Sequence, residues 1–145
     1  MTEFISHSAG QTEEWGVSLA PLLPPGFVLA LFGPLGSGKT VLARGILRGL
    51  GYDGTVPSPT YTIVHEYPAL AGGIAVAHFD LYRVNNERDL ESTGFYDYLS
   101  GGWTLILEWA DRIPWAMEDD FLRLSIDRGE GEDVRIIRMD WWNPC

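Results

Sequence analysis

Gly33-Pro34-Leu35-Gly36-Ser37-Gly38-Lys39-Thr40 satisfies the phosphate-binding loop pattern G-x-x-x-x-G-K-[ST] at every specified position. Its flanks are the ones this loop needs. Before it, Phe27-Val28-Leu29-Ala30-Leu31-Phe32 is a short apolar run, as expected of a strand buried on both faces. After it, Val41 to Leu50 places Leu42, Ile46 and Leu50 on one helical face, with Ala43 and Leu47 beside them. The residue types follow from the charge to be held. Gly33, Gly36 and Gly38 let the backbone curl until successive N–H groups point inward. The following helix adds its free N–H groups and the positive end of its dipole. Lys39 supplies a mobile full charge for the outer phosphates, and the Thr40 hydroxyl is placed to ligate Mg²⁺.

Outward from the loop, Phe4-Ile5-Ser6 predicts a short strand, and Thr12 to Leu23 a helix whose apolar stripe is Trp15, Leu19, Leu22 and Leu23. Pro24-Pro25-Gly26 ends it. Downstream, Val56-Pro57-Ser58-Pro59-Thr60 is held extended by two prolines. Strands are predicted over Tyr61–Tyr67, Ile74–Phe79 and Thr104–Leu107, and a polar helix over Asn85–Glu91. Phe121–Ile126 and Val134–Met139 predict a terminal hairpin around Gly129-Glu130-Gly131. These elements make an α/β fold, a P-loop NTPase-type three-layer sandwich on a small mixed β-sheet, in one domain over residues 1–145.

The bulk composition narrows the partners. Twenty acidic residues stand against 10 basic ones, a formal net charge of −10. Gripping a phosphate backbone ordinarily requires a basic surface, so the chain is a poor candidate for binding nucleic acid by itself. The acidity serves either solubility or the choice of a basic protein partner. No apolar run is long enough to span a bilayer, and Met1 to His7 lacks the basic and apolar regions of a signal peptide. The single cysteine, Cys145, forms no internal disulfide. The expectation is a cytoplasmic protein, monomeric when alone.

A hydroxyl alone does not hold a metal. Phosphate-loop enzymes add a carboxylate from the end of a neighbouring strand, and two are available: Asp80 after Ile74–Phe79 and Glu108 after Thr104–Leu107. Glu108 fits better, because its strand signal is cleaner. Asp80 is then free to position an attacking water or support the loop. Ser58 and Thr60 sit in a stiff segment suited to sensing an outer phosphate, or to ordinary turn capping. His7, His65 and His78 have no ligand-like spacing, which argues against zinc. Trp141 and Trp142 are adjacent, and neighbours on a strand face opposite ways, so the pair predicts either an interface or a tail folded back on the core.

Taken in order, Gly33–Thr40, Ser58-Pro59-Thr60-Tyr61-Thr62, His78-Phe79-Asp80-Leu81-Tyr82-Arg83 and Leu107-Glu108-Trp109 resemble the TsaE (YjeE) ATPases of bacteria, over about Thr12 to Ile137. The resemblance implies slow ATP hydrolysis in support of TsaB and TsaD, partner proteins that make threonylcarbamoyladenosine next to the anticodon of tRNA. It implies contact with tRNA only through that complex. By matching position, Thr12, Gly33, Gly36, Ser37, Gly38, Lys39, Thr40, Val41 and Trp109 would contact the nucleotide. Thr40 and Glu108 would hold Mg²⁺, and Asp80, with Lys39, would serve hydrolysis. Two departures stand out. Pro34 occupies a position where the family commonly has Asp, and Gly131-Glu132-Asp133 is acidic where many members carry a basic residue near the nucleotide.

Three other readings share the loop. A small-molecule kinase needs an arginine-bearing lid, and Arg123, Arg128, Arg135 and Arg138 fall in the hairpin instead. A GTP switch needs Asn-Lys-x-Asp, which Asn85-Asn86-Glu87-Arg88 does not match. A nucleotide-binding scaffold without turnover needs nothing more than the loop.

Overall fold

A computed structural model describes residues 2–24, 26–54, 56, 63–67, 74–117 and 121–142, with only the backbone described at 141 and 142. The expectations for Ser58, Thr60, Tyr61 and Thr62 and for the last three residues lie outside the described residues.

Strand β1 (Thr2–Ser6) leads into helix α1 (Ala9–Leu19). This helix begins ahead of the predicted Thr12. Ser8 is its cap, accepting a hydrogen bond from the Gln11 N–H, while the Gln11 side chain accepts one from the His7 N–H at 2.8 Å. That reciprocal pairing is close to a capping box. The helix also stops short of Leu23. Pro21 lacks an N–H, and Ala20–Leu22 tightens into a 3₁₀ turn. Strand β2 (Val28–Phe32) follows, then the phosphate loop, then helix α2 (Lys39–Gly49).

Next come β3 (Val64–Tyr67) and β4 (Val76–Asp80). The predicted polar helix is α3 (Glu87–Ser92), shifted because the Asn86 side chain caps it through the Asp89 N–H. A second short helix, α4 (Phe95–Ser100), was not anticipated. Strand β5 (Thr104–Glu108) precedes two 3₁₀ turns, and the hairpin strands β6 (Phe121–Arg128) and β7 (Arg135–Trp142) close the chain. The hairpin runs further than the periodicity suggested. The backbones of Trp141 and Trp142 extend β7, opposite Leu122 and Phe121.

The seven strands among the described residues form one mixed sheet in the order β1-β7-β6-β2-β5-β4-β3. The central strands β4, β5, β2 and β6 are parallel, and β3, β7 and β1 pair antiparallel to their neighbours. Strand β2 shows why both faces must be covered. Its Leu29 and Leu31 pack with Leu42, Ile46 and Leu47 of α2 on one face. Val28 and Ala30 pack on the other with Phe79, Leu90, Phe95 and Leu105. Each fully buried Leu is worth about 1.5–3 kcal/mol of transfer free energy, so neither face can be left to solvent. The result is a three-layer α/β sandwich of the P-loop type. The parallel strands end on one edge, and the crevice outside their carboxyl ends is where such sheets bind ligands.

Candidate active site

The edge of the sheet where β2, β4 and β5 end is occupied by a cavity of about 630 Å³. Its walls include Gly36, Ser37, Gly38, Lys39, Thr40 and Val41 from the loop and first turn of α2, and Asp80, Glu108 and Trp109 from the strand ends. Leu35, Ile63, Tyr82 and Arg83 complete it.

The loop geometry needs glycine at two places in particular. At Gly33 the backbone has φ of 152°, and an added Cβ would lie 2.4 Å from the Ile126 carbonyl oxygen and 2.8 Å from the Ser37 hydroxyl. Only a residue without a side chain fits there. Gly38 has φ of 110° and caps α2, with nothing within 4 Å of where a Cβ would stand. The left-handed turn rather than crowding demands glycine, and it leaves open space in front of the helix N-terminus.

Lys39 is buried and folded back on the loop. Its Nζ donates to the carbonyls of Gly33 and Pro34 and lies 3.9 Å from the centroid of the Trp109 ring. Burial pushes its pKa below the usual lysine value, against the opposing pull of Glu108, Asp111 and Asp80. Gly33 does not itself line the cavity, and its part here is as this acceptor. Trp109 is the one non-glycine residue at positive φ among the described residues, at 62°, in the left-handed region. This turns the chain sharply out of β5 and lays the indole against Lys39 and, at 4.9 Å between centroids, against Tyr82.

Register brings the two carboxylates together. Asp80 of β4 pairs with Glu108 of β5, and Glu108 lies opposite Leu31 of β2 on its other side. Glu108 is almost wholly buried, and Thr40 Oγ1 donates to its Oε1 at 3.1 Å. Asp80 is less enclosed and accepts the Tyr82 N–H at 3.0 Å. Burial raises the Asp80 pKa, the Tyr82 N–H lowers it, and the nearby Glu108 adds to the rise.

Mg²⁺ demands oxygen ligands and keeps waters and substrate phosphates in its shell, so it does not require an all-protein cage. Among the described residues no group of three or more His, Cys, Asp or Glu could hold a metal. A hydroxyl touching one buried carboxylate at the wall of the cavity fits the Mg²⁺ pattern instead.

The placements of three arginines, Arg135, Arg128 and Arg83, were beyond sequence reasoning. Arg135 Nε donates to the Ser37 carbonyl at 2.9 Å, and its Nη1 donates to the carbonyls of Glu132 and Val134. The hairpin therefore braces the loop from outside, and Arg128 stands within 3.0 Å of the Cβ position at Gly36. Arg83 lines the cavity although the arginines considered in the sequence all lay in the hairpin. In contrast, Thr12 does not line the cavity. It is buried in α1, where its hydroxyl donates to Ser6 Oγ at 2.7 Å.

Among the described residues no helix is long and apolar enough to cross a membrane. A family profile described as "Threonylcarbamoyl adenosine biosynthesis protein TsaE" matches residues 6–137. The chain is 37% identical over 125 residues to the tRNA threonylcarbamoyladenosine biosynthesis protein TsaE of Streptomyces coelicolor, covering 86% of this chain and 84% of that one. It is 38% identical over 118 residues to the protein of the same name from Bacillus subtilis, covering 81% and 72%. The crystal structure of Bacillus subtilis YdiB superposes with a TM-score of 0.78 at 29% identity, over 94% of this chain and 82% of that one. The fold and the matched length agree, and the chain belongs to the TsaE family of threonylcarbamoyladenosine biosynthesis proteins.

Proposed function

We propose that the protein binds ATP with Mg²⁺ in this cavity and hydrolyses it slowly, as a service to the TsaB–TsaD complex that modifies the adenosine next to the tRNA anticodon. The observation that carries the reading is the convergence of three kinds of group on one space. These are the loop amides, the Lys39 ammonium and the touching pair Thr40–Glu108. The volume, about 630 Å³, suits a nucleotide-sized ligand.

In this reading the loop backbone and the N-terminus of α2 meet the β- and γ-phosphates. Lys39 exchanges its two carbonyl acceptors for phosphate oxygens. Thr40 and Glu108 would hold Mg²⁺, which when bound supplies positive charge to offset the charge developing on the transferred phosphoryl group. Asp80 sits beside Glu108 with a pKa raised by burial, which makes it a better proton acceptor for an attacking water. Among the described residues Arg83 is the one arginine that lines the cavity, and no hydrogen bond or ion pair holds its side chain toward the loop; a missing arginine contact can cost about 10³–10⁵ in rate. Slow turnover by the isolated chain follows. The net charge of −10 supports contact with tRNA through the complex rather than by this chain alone.

The test measures phosphate release from ATP and Mg²⁺ by the purified chain, with and without TsaB and TsaD, with Lys39→Ala as the control. Weak release that rises on adding the partners and vanishes in the variant is expected. Unaided turnover on the order of a hundred per second, or release that Lys39→Ala leaves intact, would sink the reading.

A further inference from the structure

His78 lies in the middle of β4, in the run Val76-Ala77-His78-Phe79-Asp80, and is fully buried. Its neighbours in the sequence, Ala77 and Phe79, belong to the core on the α3–α4 side. By strand alternation His78 shares the opposite face with Asp80. An aliphatic residue there would carry no desolvation penalty, whereas a buried imidazole needs a partner. It has one: His78 Nε2 stands 2.5 Å from Glu108 Oε2. Its Nδ1 has no hydrogen-bond partner among the described residues. The ring's polar contact is therefore made at one atom, to one carboxylate.

Glu108 is thus held at both oxygens, Oε1 by Thr40 from α2 and Oε2 by His78 from β4. The terminal torsion of a glutamate is otherwise soft, and a charge-assisted hydrogen bond to one oxygen fixes the plane of the group. We infer that His78 is a positioning residue for Mg²⁺ binding: by holding Oε2 it keeps Oε1 turned toward the Thr40 hydroxyl, where the two would share the ion. The inference rests on the Mg²⁺–nucleotide reading of the site. It identifies a role for a histidine that neither contacts the cavity nor has ligand-like spacing in the sequence.

Glutamine and asparagine separate the two ring nitrogens. His78→Gln can present an amide N–H near the place of Nε2, within reach of Glu108. His78→Asn presents it near the place of Nδ1, short of Glu108. Calorimetric titration of ATP at a series of Mg²⁺ concentrations, and with Mg²⁺ chelated, is run on the purified chain and both variants. For His78→Asn the Mg²⁺ needed for half-maximal effect should rise about 10–100-fold, the usual result of deleting an outer partner of a metal ligand. His78→Gln should stay within about threefold of the parent, and ATP affinity without Mg²⁺ should be unchanged in both. If His78→Asn fails to fold, as judged by its melting curve, the His78→Gln arm decides alone. A folded His78→Gln with a tenfold or greater rise in Mg²⁺ requirement overturns the inference. So does a His78→Asn that folds and keeps the parental requirement, or one that loses ATP affinity equally with and without Mg²⁺. A parent chain that binds ATP with no response to Mg²⁺ overturns the Mg²⁺ reading itself, and His78 with it.

Discussion

The two walls of the cavity are made of different material. On one side, Leu35 to Thr40 offers main-chain amides from six consecutive residues, and the shape of the loop is held by glycine conformations and by Arg135 from outside. On the other, Asp80 and Glu108 offer side chains that are far apart in sequence and neighbours only because β4 and β5 pair in register. A wall of backbone cannot be removed by truncating a side chain. It fails only when its path is blocked. A wall of side chains keeps its path and fails one function at a time. The contrast teaches that substitutions on the two sides should differ in kind as well as in size.

The largest effect is expected on the backbone side. Gly33→Ala drives a methyl group into the Ile126 carbonyl, which belongs to β6 and cannot swing aside. Strain of about 1–3 kcal/mol is expected, lowering the melting temperature by about 2–12 °C in a chain of this length. The stabilisation by saturating MgATP, about 2.7 kcal/mol at a hundred times Kd in the parent, should vanish. A melting curve and an ATP-induced shift like those of the parent would show that the loop has another route past Ile126.

Next in size is the contrast within the carboxylate wall. Glu108→Ala removes the group that touches Thr40 and should raise the Mg²⁺ requirement for ATP binding about 10-fold or more. Asp80→Ala should raise it less than about threefold, because Asp80 is engaged by the Tyr82 N–H and not by Thr40. Its loss should fall on hydrolysis instead. The reverse ranking in a metal titration would exchange their roles.

The smallest effect is on stability. Burial raises the Asp80 pKa, so its ionised form is less favourable in the folded chain than in the unfolded one. At neutral pH the parent carries that penalty and Asp80→Asn does not. The variant should therefore melt higher, by on the order of 2 °C. As pH falls through the folded-state pKa of Asp80, the parent takes up a proton and the advantage should disappear. A difference in melting temperature that holds steady from pH 7 to acid would mean that ionisation at this site is not what separates the two proteins.

What could be read in the sequence follows the same division. The loop was legible because all its determinants are contiguous and the flanking strand and helix periodicities agree. Asp80 and Glu108 were legible as strand ends, since a strand that stops at a carboxylate in a parallel sheet must place it on the ligand edge. Their adjacency was not, because strand order is decided by packing across the whole sheet. The same limit hid Arg135, whose contact with Ser37 spans 98 positions of sequence. His78 looked scattered for the reason that Glu108 is its neighbour only in space. Thr12 came forward by resemblance, and the fold seats it against Ser6 beneath β1. The N-terminal helix begins ahead of Thr12 because Ser8 and Gln11 cap it, a signal that lies outside the apolar stripe from which the helix was read.

The parked position of Lys39 carries a kinetic consequence. An ammonium that rests on two carbonyls and an indole face is already solvated by its own protein. If the proposed function holds, a triphosphate arriving there would exchange one set of contacts for another, so the gain on capture would be a difference between two favourable states. The same substitute contacts would await the cation when the spent ligand departed, which would lower the barrier to letting go. A catcher furnished in this way would exchange a little grip for prompt release.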